Sequence, residues 1–171
     1  MLNDKRIVAV SLGGGTLGQW VTNNYLKKLN KTEVHIYDKD EDNKYQAYVD
    51  DVNNRGLNHF ATLTQKRELE NYFHESIVVP SFQAHDDFTI TVTIDDNSDI
   101  PEIIAKERHN QRNTGRTWEQ VSKGTKDKCT SYAKKHLSEI TSKQITIDIL
   151  NQRNAFDEIS NWFEEIKKRL N

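Results

Sequence analysis

Short apolar runs alternate with amphipathic stretches over the first third of the chain. Residues 6–12 (RIVAVSL) read as a buried strand, broken by Gly13, Gly14 and Gly15. Thr16 suits the N-cap of a helix running to about Leu29. Leu17, Trp20, Val21 and Leu29 fall on or near one face of it, and Lys27 and Lys28 lie in its last turn, where the helix dipole favours cations. Residues 33–37 give a second strand, residues 43–54 a helix ended by Gly56, and residues 60–63 a short third strand. This β-α-β-α-β order predicts an α/β fold, a small parallel sheet with helices on both faces, followed by a helical C-terminal part. In such sheets ligands bind at the carboxyl ends of the strands. Both residues 13–15 and residues 38–42 lie at such ends.

Beyond Glu68 the pattern changes. Residues 66–73 read as a short helix. Residues 88–94 (FTITVTI) alternate with period two, as in a strand or extended segment. Pro101 opens a short helix to about Glu107. Residues 108–117 (RHNQRNTGRT) are polar, basic and expected to be mobile. Residues 118–140 predict a long helix with an interruption near Gly124, and residues 142–150 include a second short one. The clearest helix is the last. Asn154 caps it, Asp157 and Glu158 open it, and Lys167, Lys168 and Arg169 close it. Its apolar stripe is Phe156, Ile159, Trp162 or Phe163, and Ile166. With no internal repeat and no low-complexity linker, one domain spanning residues 1–171 is the simplest organisation, with a core over about 5–75 and mixed extended and helical structure over about 76–171.

Composition narrows the class. Hydrophobic residues are 35% of the chain and charged residues 29%, against roughly 45–50% and 25% in an average domain. The core is therefore thin, or part of the surface meets another domain. No apolar run approaches the ~20 residues of a membrane span. The N-terminus has no secretory pattern, and Cys129 is the single cysteine, which excludes an internal disulfide and a cysteine-based zinc cluster. A cytoplasmic location is the default expectation. The net charge is −2, yet it is unevenly spread. Residues 38–51 hold six acids and two lysines, whereas residues 102–137 hold nine Lys/Arg and four acids. Two solvated faces would produce this, and so would metal ligands at one pole and phosphate contacts at the other.

Two motifs carry chemistry. Residues 13–18 (GGGTLG) fit G-x-G-x-x-G between a strand and a helix, and Asp38 lies about 20 residues on, where a ribose-binding acid would sit. That is the Rossmann-type dinucleotide reading. Against it, Asp40, Glu41 and Asp42 beside the ribose acid would repel phosphates, and only about three βα units precede the change of pattern. The competing reading takes the acidic turn itself, Asp38-Lys39-Asp40-Glu41-Asp42, as a cradle for a hard divalent cation, which takes oxygen ligands from one or two carboxylates, water and substrate phosphate. Residues 66–73 (KRELENYF) then add two bases, two acids, an amide and an aromatic. On a helix, Arg67 and Glu70 are i,i+3 neighbours and Lys66 and Glu70 are i,i+4 neighbours. They would be local ion pairs, or further ligands and support for a metal.

Taken in order, IYDKDED, KRELENYF and the C-terminal ISNWFEEI resemble the Toprim nuclease domain of OLD-family ATP-dependent endonucleases, the ABC-ATPase–Toprim proteins often found in phage defence. The resemblance covers most of the chain, from about Ile7 to Leu170. It implies a D-x-D metal pair at Asp38 and Asp40 that binds Mg2+ or Mn2+, with Glu68 and Glu70 as further acids. The implied activity is metal-dependent hydrolysis of DNA, with Asp38, Asp40, Glu70 and Lys126 in catalytic roles. Lys128 is the alternative lysine. Arg108, Arg112, Arg116, Lys123, Lys126 and Lys128 would hold the nucleic acid backbone. The implied partners are DNA and an ABC-type ATPase domain or subunit, with a homodimer open and no membrane. Toprim domains begin with a strand ending in a glutamate, often in E-G-x-x-D. Here RIVAVSL resembles the second Toprim strand, and that glutamate and the ATPase half have no counterpart. The expectation is an incomplete nuclease, from a truncated, split or degenerate gene, with a catalytically inactive interaction or nucleic-acid-binding module as the alternative.

Other single residues add little. The six histidines (His35, His59, His74, His85, His109 and His136) have no metal-ligand spacing, and His35 is expected in the sheet. Cys129 reads as a packed thiol. Trp20, Trp118 and Trp162 are expected in the core or an interface, with Trp118, beside the basic loop, a candidate for stacking on bases.

Overall fold

The computed structural model describes residues 4–11, 31–56, 58–86, 88–112 and 115–170. Among them lie two strands and six α-helices, a mixed α/β architecture. The chain divides into two compact units, one formed by Met1–Leu63 with Ile159–Asn171 and the other by Thr64–Glu158.

In the first unit, β1 (Val34–Tyr37) and β2 (Phe60–Leu63) pair in parallel, with Val34 opposite Phe60 and Tyr37 opposite Leu63. The intervening helix, α1 (Gln46–Asn54), turns Val49 and Val52 onto Tyr37 and Ala61, and Tyr45, Tyr48 and Leu63 close this small core. Asn43 has a φ of 47° and so cannot join the helix, which starts at Gln46 rather than at 43. Gly56, at φ 74°, takes the left-handed position after the C-cap Arg55, as the sequence predicts. Asn53 reaches from α1 to β2, donating to the Ala61 carbonyl at 3.0 Å and accepting from its N–H at 2.8 Å. The backbone of β2 is thereby satisfied by a side chain on one edge.

The strand expected at residues 6–12 does not form over its described part. Asp4 instead caps a turn at Arg6, and Val8 and Val10 are 84% and 58% exposed. A continuous apolar run needs a neighbouring ladder to become a strand, and none of the described residues supplies one here. Leu12, the glycine turn at 13–15 and the helix at 16–29, with Trp20, lie outside the described residues.

The second unit is helical. It holds α2 (Glu75–Asp86), α3 (Ile100–Gln111), α4 (Lys123–Glu139) and α5 (Ile147–Gln152), and α6 (Phe156–Lys168) begins in it. Its core joins Val78, Phe82, Ile90, Ile100, Ile104 and Leu137, all essentially buried. The run FTITVTI contributes Ile90, Val92 and Ile94 to this core with threonines outward, so the alternation is real. It belongs to no ladder, however. The Ile94 N–H is taken by the Glu75 carboxylate of α2 at 2.6 Å. Asp99 caps α3 by accepting from the Glu102 N–H at 2.9 Å, with Pro101 in the first turn. The interruption foreseen near Gly124 falls just before it. A 3-10 turn (Trp118–Gln120) ends and Ser122 caps α4. Trp118 and Trp162 are both buried, and Phe163 rather than Trp162 faces out on α6.

Two end signals are reassigned. The helix predicted at 66–73 shrinks to a 3-10 turn (Leu69–Tyr72), because the Arg67 N–H is bound by the Asp96 carbonyl and Glu68 and Asn71 cap each other. Asn154 does not cap α6. Its φ is 51°, its N–H meets the Asn151 carbonyl, and the Ala155 N–H meets the Leu150 carbonyl at 2.8 Å. This is a Schellman motif, so Asn154 ends α5.

Candidate nucleic-acid interface and carboxylate turn

In the first unit, Asp38 and Asp40 directly follow β1, at the carboxyl end of a parallel pair. Asp40 sits in the left-handed region at φ 54°, a conformation that Asp tolerates better than most residues. Its carboxylate is ion-paired with Lys44 and accepts from the Glu41 N–H at 3.2 Å. Among the described residues no group of three or more His, Cys, Asp or Glu side chains is arranged to hold a metal ion. Magnesium can be held by two carboxylates when water and a substrate phosphate complete the shell, and here the Asp40 carboxylate is engaged by Lys44. Behind it, Glu33, His35 and Tyr37 form a buried relay along one face of β1. The Tyr37 hydroxyl meets His35 Nδ1 at 2.8 Å, and His35 Nε2 meets Glu33 at 2.9 Å. Burial holds the His35 imidazole below its ordinary range, and Glu33 offsets this only in part.

Glu68 and Glu70 belong to the second unit. Glu68 is 6% exposed and its carboxylate is committed to the Asn71 N–H, to Lys134 Nζ at 2.6 Å and, as an ion pair, to Arg67 Nε at 3.6 Å. Burial works against the Lys134 charge, but the Glu68 hydrogen bond, with Glu70, Glu68 and Asp99 nearby, outweighs it and raises the ammonium above its usual range. Lys66 pairs with Asp96 at 2.7 Å rather than with Glu70. The amide of the segment proves central. Asn71, wholly buried, accepts from the Glu68 N–H at 2.9 Å and donates to the carbonyls of Asp95 and Ser98 at 2.8 and 2.9 Å. At the end of the segment, the Tyr72 hydroxyl donates to Glu158 at 2.5 Å, and burial with that carboxylate pushes the phenol well above its usual range.

Of the predicted basic contacts, Lys123 and Lys126 come together. They line an open cleft of about 490 Å³ with Asp127, Thr130, Ser131 and Lys134 of α4 and with Asp99 and Glu102 at the start of α3. The α4 positions 123, 126, 127, 130, 131 and 134 are one helical stripe, a spacing readable in the sequence, although Lys134 was not singled out from it. Lys126 lies 5.5 Å from the Trp118 ring, and the Trp118 indole N–H points at Glu102 at 3.5 Å. Trp118 is only 4% exposed, which withdraws it from stacking on bases.

The other basic residues are scattered. Lys128 does not line the cleft, Arg116 is exposed in the loop, and Arg112 is exposed with its guanidinium 5.4 Å from the Phe88 ring. Arg108 is buried. Its guanidinium lies 2.7 Å from Asp86 and 4.1 Å from the centre of the Tyr132 ring, so it is not a solvent-facing cation. Tyr132 in turn donates to Asp86 at 2.7 Å.

The fold thus defines an α/β protein with a polar, lysine-bearing cleft in its helical unit. Comparison with protein-family models, with curated proteins and with solved structures finds no match in any of the three. No helix among the described residues is long and apolar enough to cross a membrane.

Proposed function

We propose that this chain is a Toprim-like α/β domain whose helical unit binds the phosphate backbone of nucleic acid. The observation that carries the reading is the α4 stripe. Lys123 and Lys126 share one cleft with the hydroxyls of Thr130 and Ser131 and with Lys134. Ammonium groups supply charge to phosphate, and hydroxyls supply donors without sequence information. Three acids also line the cleft, Asp99, Glu102 and Asp127; Asp99 already accepts a helix-capping N–H and Glu102 lies toward the Trp118 indole, which tempers the repulsion of a phosphate by those two.

The test is fluorescence anisotropy of a labelled DNA strand across a salt series. Lys123→Ala/Lys126→Ala should weaken binding alike for all sequences. Loss of two phosphate contacts should flatten the slope of log affinity against log salt by about 1.4 for a single strand. Unchanged affinity and slope in the double variant would remove the cleft from the reading.

A second reading, metal-dependent phosphodiester hydrolysis, is favoured by the place of Asp38 and Asp40 at the carboxyl end of β1. These two would hold Mg2+ or Mn2+, which when bound supplies charge neutralisation at phosphate and an acidified water. Calorimetric titration with Mn2+ should detect a site in the native chain that Asp38→Asn/Asp40→Asn abolishes. Equal heats in both proteins would sink it.

A further inference from the structure

Tyr132 is the exposed aromatic that α4 turns outward away from the lysine cleft. It keeps 37% of its surface in solvent. An exposed tyrosine on a helix is ordinarily free to change rotamer, but this one is held at both ends. Its hydroxyl donates to Asp86 Oδ1 at 2.7 Å, and its ring lies against the Arg108 guanidinium, 4.1 Å from the ring centre. Arg108 is itself buried and fixed by Asp86 at 2.7 Å. Among the described residues, the charges around the ring are Arg108, Asp86, the half-exposed His85 whose Nδ1 meets Asp86 at 3.1 Å, and Arg112, whose guanidinium shares the Phe88 ring with Arg108. Asp86 is matched by Arg108, so among the described residues the solvent-facing cation at this patch is Arg112. The half-buried Phe88 ring lies beneath that guanidinium, 5.4 Å away.

We infer that Tyr132 is a stacking platform for an unpaired nucleobase, with Arg112 placed for the adjoining phosphate, so that this face selects single-stranded nucleic acid. The inference rests on the nucleic-acid reading above and adds strand preference to it. A rigid ring loses little freedom when a base stacks on it, and a guanidinium behind the ring adds a cationic contribution. Bases inside a duplex are already stacked and cannot reach the platform without being extruded.

Anisotropy with an oligothymidine strand, the corresponding duplex and an abasic deoxyribose-phosphate strand separates the possibilities. Tyr132→Leu keeps an apolar cover over Arg108 but loses the aromatic face, and Tyr132→Phe keeps the face and loses only the hydroxyl. For the oligothymidine, Tyr132→Leu should bind about 5- to 150-fold more weakly, and Tyr132→Phe should stay within about threefold of the native chain. Binding of the abasic strand should be the same in native and Tyr132→Leu proteins. Thermal melting of each variant checks that the fold persists. Equal loss on the abasic strand, or no loss on oligothymidine while the salt-dependent lysine contacts remain, overturns the platform and leaves the backbone reading standing. No binding of any strand by the native chain overturns both.

Discussion

Asn71 is the residue whose removal the structure makes most consequential. Its amide joins three pieces of chain, the Glu68 backbone N–H and the carbonyls of Asp95 and Ser98, at 2.8–2.9 Å with no solvent exposure. Asn71→Ala removes all three partners at once. At ~1 kcal/mol net per hydrogen bond the loss is about 3 kcal/mol, and buried groups left unsatisfied raise it toward 5 kcal/mol. A domain's whole stability is about 5–15 kcal/mol, so the variant should be close to unfolding. For a chain of this size the melting temperature should fall by roughly 6–12 °C or more. Asn71→Asp is the sharper control. It keeps the acceptor for the Glu68 N–H but turns a carboxylate oxygen toward two carbonyls, and should be at least as damaging near neutral pH. Urea unfolding followed by circular dichroism reads both. A shift below about 1 kcal/mol for Asn71→Ala would mean that the loops at 95–98 find other partners, and the keystone role would be wrong.

Two further predictions follow from local geometry. Because Asn154 occupies a left-handed position, Asn154→Thr should cost about 1–2 kcal/mol and Asn154→Gly should be neutral or stabilising. A helix N-cap would tolerate Thr and Gly about equally, and thermal melts decide between the two. Burial holds both His136 and His35 below the ordinary imidazole range, in the first case aided by the neighbouring His85. The unfolded chain then takes up protons that the folded chain refuses, so stability should fall as pH drops below about 6.5. A further loss should appear below about 4, where Asp86 and Glu75, held below the usual carboxylate range by their hydrogen bonds against the opposing effect of burial, are finally protonated. His136→Gln should flatten the upper part of this profile, and a flat native profile between pH 7.5 and 5.5 would count against the buried imidazoles.

Much of the architecture was legible in the order of residues. The second and third strands, the helix between them and its glycine stop depend on local periodicity and on a left-handed position that Gly56 fills without strain. The stripe of α6 and the Pro-opened α3 are local as well. The candidate site was legible only in part. Lys123 and Lys126 do meet in one cleft, since helical spacing alone places them together. Arg108, from the same basic run, is turned inward by Asp86 and Tyr132, partners 22 and 24 residues away in sequence.

What tertiary structure decided is wherever one residue type serves two ends. Asn154 satisfies the rule for a helix start and the rule for a helix stop, and only the backbone bonds of Ala155 and Leu150 choose between them. Lys66 fits a helical ion pair with Glu70 by spacing, yet its partner is Asp96, 30 residues distant, and Glu68 meets Lys134, 66 residues away. Sequence periodicity measures which face a residue takes. It does not measure which distant group meets it there, and charge and amide partners are chosen by that meeting.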